Sequence, residues 1–464
     1  NQDSYPIRKT TMTTTTSQSS RPWTVAVSLI LACLLATATS RASDQIPGAP
    51  QAGPIALVGG TIHTVSGKVI KGGTILFEQG RITAIGDKLE LPEGTEQVDV
   101  AGKQIYPALF DSYSSIGLVE INAVRATRDE AETGNLNPNV RAEVSVNPDS
   151  ELIPVARSNG VLLALSAPSG GLISGQSAVL QLDGWTYEDL TVKSRAAMHI
   201  RWPTMSPVSD WWVEASAKEQ MATRDKQLKL LEDTFLDAQH AWRASQDPAA
   251  DPLDIRVAAM VPMLAGKQPV VVTANSVSQI QAAVAFAVRH KLRLVILGGY
   301  DAIACVELLK RHDVPVIVGG VYRLPQRRDD DYDAAYTLPE RLRKAGITYC
   351  IASNGRFGAS NIRNLPYHAA TAVAYGLPEA EALKAITLYP AQILGVGEQV
   401  GSLAVGRDAT LFVSSGDPLE TSSRVQRAYV QGRLVDLSSK HKQLFQKYRT
   451  KYQQQADAEA GEGQ

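Results

Sequence analysis

The stretch LVGGTIHTVSGKVIKGGTILFEQGRITAIG at residues 57–86, continued by VDVAGKQIYPALFDSYSSIGL at 98–118, decides how this chain is read. Short apolar runs alternate with Gly, Asp and Lys turns, the pattern of brief half-buried strands. Strands at this spacing predict a small β-sandwich. The same texture returns far downstream, in GSLAVGRDATLFVSSGDP at 401–418 and VQRAYVQGRLV at 425–435. Two β segments, 54–105 and 396–436, close one composite sandwich if the residues between them form a separate inserted body.

That insertion, 106–395, reads as strand–helix alternation. Continuous apolar runs occur at VLLALSA (161–167), VVVTAN (270–275), RLVILGG (293–299), VPVIVGG (314–320) and ITYCIAS (347–353). Runs without polar alternation suit parallel strands buried on both faces. Helical stretches follow or precede them: 276–290, 301–312 and 338–346. An α/β architecture is therefore expected, a (β/α)8 TIM-type barrel, for which about 250 residues are typical. An open doubly wound sheet is the rival, but no GxGxxG follows any of these strands. Residues 116–150 are polar and turn-rich, which suggests a loop over one barrel mouth. Residues 214–245 predict one outer amphipathic helix, and 437–464 a basic helix fading into a disordered end.

Composition narrows the function classes. Across 464 residues the net charge is -1, which offers no long-range field for nucleic acid or anionic lipid. Aromatic residues at 6% also argue against a base-stacking surface. Within residues 1–42, the apolar run from Trp23 to Ala38 and the small residues TSRAS after it have the layout of a secretory signal peptide. Cleavage after Ala38 or Ala42 is expected, giving an exported protein, periplasmic or extracellular, with no membrane attachment once the leader is removed. The run is shorter than the ~20 residues of a spanning helix, with an uncleaved anchor as the alternative. Cys33 lies in this leader. Cys305 and Cys350 could pair in an oxidising compartment, but their spacing fits no disulfide framework and favours two separate buried thiols.

The opening stretch, together with AITLYPAQILGV (385–396) and GSLAVGRDATLFVSSGDPL (401–419), resembles imidazolonepropionase-like members of the amidohydrolase superfamily. LPERLRKAGITYCIAS at 338–353 resembles their last barrel strand and the helix before it. The resemblance runs from about Pro54 to Val435 and implies a split sandwich around a barrel. It further implies chemistry at the C-terminal mouth. There an Asp-x-His-x-His run on strand one, histidines on strands five and six and an aspartate on strand eight hold zinc or another divalent metal. Such a metal lowers the pKa of bound water to about 7, and the resulting hydroxide attacks an amide, imide or ring C–N bond.

Matched residue by residue, the metal positions are substituted. Strand one reads Asp111-Ser112-Tyr113-Ser114-Ser115, so Tyr113 and Ser115 stand where the resemblance calls for histidine. The strand-five position falls on Thr273, the strand-six position on Gly298 and the strand-eight aspartate on Asn354. Zinc sites need imidazole, carboxylate or thiolate ligands, and no HxH, HxxH or HExxH occurs. The expectation is a protein without a metal or other cofactor, catalytic residues unknown, acting as a non-catalytic binding or accessory homologue. Its partners would be a small-molecule ligand and either a second copy or an active paralogue. The alternative is an active hydrolase of cyclic amides or imides, using atypical metal ligands, zinc among them, or a metal-free site.

Candidate ligand-binding residues at the mouth are Asp111, His199, Arg356 and His368; Asn354 and Arg356, with Arg363, could meet a substrate carboxylate. Two further motifs carry rival readings. The glycine-rich PSGGLISGQS (168–177) is either an anion cradle or a tight turn feeding a short β excursion, SAVLQLDG. The acidic RRDDDYD (327–333), with Asp329, Asp330, Asp331 and Asp333, is either a cation site or a solvated loop. No GxSxG elbow is present.

Overall fold

The computed structural model describes residues 45–209, 211–247, 251–353 and 358–462. The expected leader at 1–42 and the positions of Asn354 and Arg356 lie outside these described residues.

The opening stretch forms five strands: β1 (Ile55–His63), β2 (Val69–Glu78), β3 (Arg81–Gly86), β4 (Glu96–Asp99) and β5 (Gln104–Pro107). The insertion supplies β6 (Leu109–Ser114), β7 (Val161–Ser166), β8 (Ile173–Gln181), β9 (Thr191–Arg201), β10 (Val270–Ala274), β11 (Leu294–Gly298), β12 (Val316–Val318) and β13 (Tyr349–Ile351). The distal segment adds β14 (Leu411–Ser414), β15 (Val425–Val430) and β16 (Arg433–Leu434).

The two β segments join in one continuous mixed sheet, ordered β16-β15-β14-β5-β1-β2-β3, with β4 beside β1. The suture is the antiparallel pairing of β14 with β5, Leu411 opposite Pro107. Two hairpins in this sheet turn on the same dipeptide. Gln79-Gly80 and Gln431-Gly432 all have positive φ, which a two-residue turn between twisted strands requires at both central positions. Successive side chains leave the sheet on opposite faces. Leu411, Val413 and Tyr429 therefore join Leu57, Ile75, Phe77 and Ile105 in the sheet's own core. Between them, Phe412, Ala428 and Val430 point into the barrel core. Phe412 stacks there on Tyr106 at 5.6 Å.

The insertion forms an eight-stranded barrel wall in the order β6 to β13. Its neighbour pairings run as the strand–helix alternation predicts, with β6 beside β7 and β9 through β13 all parallel, apart from β8, which is antiparallel to both β7 and β9. The reason is connection length. Loops 167–172 and 182–190 are too short for the dozen or more residues of a parallel crossover. The glycine-rich motif is thus a turn into β8, with Gly170 and Gly171 at positive φ, and SAVLQ of SAVLQLDG is part of the wall itself.

Around this wall, the helix Ala217–Ala244 starts at a Ser216/Glu219 capping box and buries Leu231, Phe235 and Ala238, the outer helix expected at 214–245. Helix Val277–His290 starts at a second capping box, Ser276 with Gln279, and its Phe286 packs edge-on against Phe235 at 4.9 Å. The barrel interior is apolar: Ala197, Val271, Val295, Leu297, Ile317, Cys350 and Ala352, with Ile393 and Tyr389 packed against them. Cys305 and Cys350 are both free and buried, and burial pushes the Cys350 thiol up to about 12. Among the described residues no helix is long and apolar enough to cross a membrane. The last helix, Lys440–Glu462, runs through Asp457 and Glu459, into the stretch whose composition reads as disordered.

Candidate functional site at the barrel mouth

The C-terminal ends of β6, β9, β10 and β11 face the mouth, and each brings a residue singled out in the sequence: Asp111 and Tyr113, His199, Thr273 and Gly298. Among the described residues no ladder pairing joins β6 to β13, so the wall is open between its first and last strands. Asp111 spans that seam. Its carboxylate is fully buried and accepts the Ser353 backbone N–H at 3.0 Å, the Ser353 hydroxyl, and the Tyr113 N–H at 3.4 Å. Burial raises the carboxyl pKa to about 6, against the lowering effect of these three donors.

Two residues on, Tyr113 turns into the barrel interior, where its ring lies 5.8 Å from that of His199. Burial raises the phenol pKa; Arg201 pulls it back and Glu130 adds to the rise. His199 sits on β9 opposite Val271 and is 4% exposed. Its Nε2 is buried without a hydrogen-bond partner, and burial drops the imidazole to about 3, so the ring is neutral across the physiological range. Arg201, two residues along the same strand face, pairs in register with Thr273. Thr273 and Ser115 are half-buried hydroxyls at the rim.

Gly298 closes off the strand-six position. Its φ is +99°, and a Cβ there would meet the Asn275 side-chain oxygen at 2.5 Å. The space a longer side chain at 298 would take is filled by Asn275, which in turn accepts a hydrogen bond from Arg323 at 3.4 Å. Arg323 also lies over the Tyr300 ring at 5.8 Å. His368 belongs to a neighbouring contact. It is buried on helix Leu365–Ala374, accepts the Val321 N–H through Nδ1 at 3.1 Å and packs on Tyr322, with its pKa lowered to about 4 by burial. The acidic loop is organised by its own basic residue: Arg327 bonds both Asp301 and Asp330, and Tyr300 donates to Asp330. A cavity of about 530 Å³ lies at the opposite end of the barrel, among Lys291, Arg293, His312, Asp313 and Thr348.

These side chains do not fit a divalent metal. At the four described positions they offer a phenol, two hydroxyls and no side chain, and the two mouth histidines serve separate contacts. Among the described residues no group of three or more His, Cys, Asp or Glu is placed to hold an ion. Three contributors escape a reading of the sequence: Ser353, Asn275 and Arg201. Arg201 is accessible by strand period, two residues beyond His199; Asn275 acts on the neighbouring strand and Ser353 across the seam, and nothing local marks them.

A model of the amidohydrolase family matches residues 302–436. The amidohydrolase tasK of Hapsidospora irregularis is 24% identical over 394 residues, covering 78% of this chain and 39% of that protein. A crystal structure of an amidohydrolase from Thermotoga maritima MSB8 superposes with a TM-score of 0.73 at 25% identity, covering 82% of this chain and 99% of that one. The chain belongs to the amidohydrolase superfamily. A prolidase solved with N-methylphosphonate-L-proline shares the fold at 18% identity and a TM-score of 0.51, with 82% of this chain and 99% of that one covered. This superfamily member thus spans about 39% of the length of the curated relative it matches.

Proposed function

We propose that this amidohydrolase-superfamily chain, of the imidazolonepropionase-like branch, is a non-catalytic binding or accessory homologue that works without a metal. The observation that carries the reading is the fate of the mouth positions: Asp111 is consumed in sealing β6 to β13, and Asn275 fills the space over Gly298. Fold alone does not fix activity within a superfamily, so the side chains at the mouth decide. The Tyr113–His199 interior and the Arg201 and Arg323 guanidiniums leave a mouth suited to holding a small polar molecule. Elemental analysis of the purified protein tests this. Substoichiometric transition metal supports it. About one tightly held ion per chain, whose removal abolishes a hydrolytic activity, would sink it.

One observation favours the second reading, a metal-free hydrolase of C–N bonds: Tyr113 and His199 do approach each other. Yet an imidazole titrating near 3 is a weak base at neutral pH. If hydrolysis of cyclic amides or imides is detected and disappears in both Tyr113→Phe and His199→Gln, this second reading replaces the first. The signal-like run Trp23–Ala38 supports export. Cell fractionation with N-terminal sequencing tests that proposal, and an intact leader on cytoplasmic protein would refute it.

A further inference from the structure

Among the described residues, the helix Lys440–Glu462 touches the body at its root, where Lys442 donates to the Leu437 carbonyl and Arg363 meets His441. From His441 through Ala460 every residue is exposed. One face is nevertheless apolar. Leu444, Tyr448, Tyr452 and Ala456 recur every four residues, with Phe445 beside them, and Phe445 and Tyr452 are each 65% exposed. Residues spaced by four lie on one side of a helix. A polar helix standing in water without tertiary packing is marginal, so this stripe calls for a cover.

The charge order says what kind of cover. Lys440, Lys442, Lys447, Arg449 and Lys451 crowd the first half, and Asp457 and Glu459 follow in the second. This is the unfavourable order for a lone helix, whose dipole prefers acids early and bases late. A second identical helix laid antiparallel corrects both faults at once. Its acidic half meets the basic half of the first, and the two dipoles oppose. A two-fold axis through Thr450 sets Tyr448 of one copy against Tyr452 of the other, and bulky Leu444 against small Ala456. We infer that this helix is a self-association device, pairing two copies of the chain antiparallel through the Leu444–Ala456 stripe. An anionic lipid surface would attract the first half but repel the second, so the second copy is the better match.

Sedimentation velocity on the full chain tests the proposal. The expected result is a dimer whose dissociation constant rises at least about tenfold in the Tyr448→Glu, Tyr452→Glu double variant, with the thermal melt of the body unchanged. Exchanging charge in one half only (Lys440→Glu with Lys442→Glu, or Asp457→Lys with Glu459→Lys) should weaken pairing. Combining all four changes should restore it, because antiparallel partners then remain complementary. A monomeric wild type, a dimer indifferent to the tyrosine changes, or failure of the fourfold exchange to restore pairing overturns the inference. So does a monomer that co-sediments with phosphatidylserine-containing vesicles.

Discussion

Asp111 and His199 are buried ionisable groups whose acid responses have opposite sign. Asp111 titrates near 6 when folded and near its ordinary 3.8 when unfolded, so folding favours its protonated form. Its contribution is full below about 3.8 and is lost as pH rises through about 6, a difference on the order of 3 kcal/mol. Asp111→Asn keeps an acceptor for the Ser353 N–H and cannot ionise. We expect the variant's deficit relative to wild type to be larger at pH 4 than at pH 7 in urea melts; a deficit equal at both pH values would count against this account. His199 is depressed to about 3, so its contribution is complete above 6.5 and falls away as pH drops toward 3. His199→Phe should therefore lose less stability than wild type between pH 7 and pH 4. An NMR titration in which the wild-type imidazole protonates near 6 would contradict it.

Gly298 and the ends of the strands show what one element imposes on another. At φ +99° a side chain is strained, and the clash with Asn275 adds to that strain. Gly298→Ala should cost about 1–3 kcal/mol in chemical denaturation. Adding Asn275→Ala should recover part of the loss, because the two positions share one space. Strict additivity of the two changes would refute the shared-space explanation. At this scale the sequence is most legible where a pattern is local. The apolar runs at 270–275 and 293–299 are β10 and β11, and the caps at Ser216 and Ser276 start the helices that follow. It is least legible at β8, because a strand-like run does not reveal its direction. Only the shortness of loops 167–172 and 182–190 does that.

At the scale of the whole molecule, the split sheet is sutured and also coupled to the barrel. Phe412 belongs to a sheet strand but packs in the barrel core against Tyr106. Phe412→Ala should cost about 3–5 kcal/mol, and sheet and barrel should still melt in one calorimetric transition. Two resolved transitions in the wild type would show the coupling to be weaker than this packing implies. The resemblance carried by the first and last segments makes this composite architecture legible in the sequence. The mouth is legible only in part. Tyr113 is reached through the motif around Asp111, and Gly298 only through the apolar strand pattern. The partners there, Asn275 beside Gly298 from the neighbouring strand and Ser353 on Asp111 from 242 residues away, emerge only once the strands are assembled.

The Asp111–Ser353 contact joins residues 242 positions apart, while β7, β8 and β9 follow one another through short turns. Closing a long loop costs chain entropy before any contact rewards it, whereas a meander forms from near neighbours. The meander is thus expected to form early, and the seam to close only after the wall has curled round. With no strand ladder across it among the described residues, transient exposure of the barrel should begin at the gap between β6 and β13.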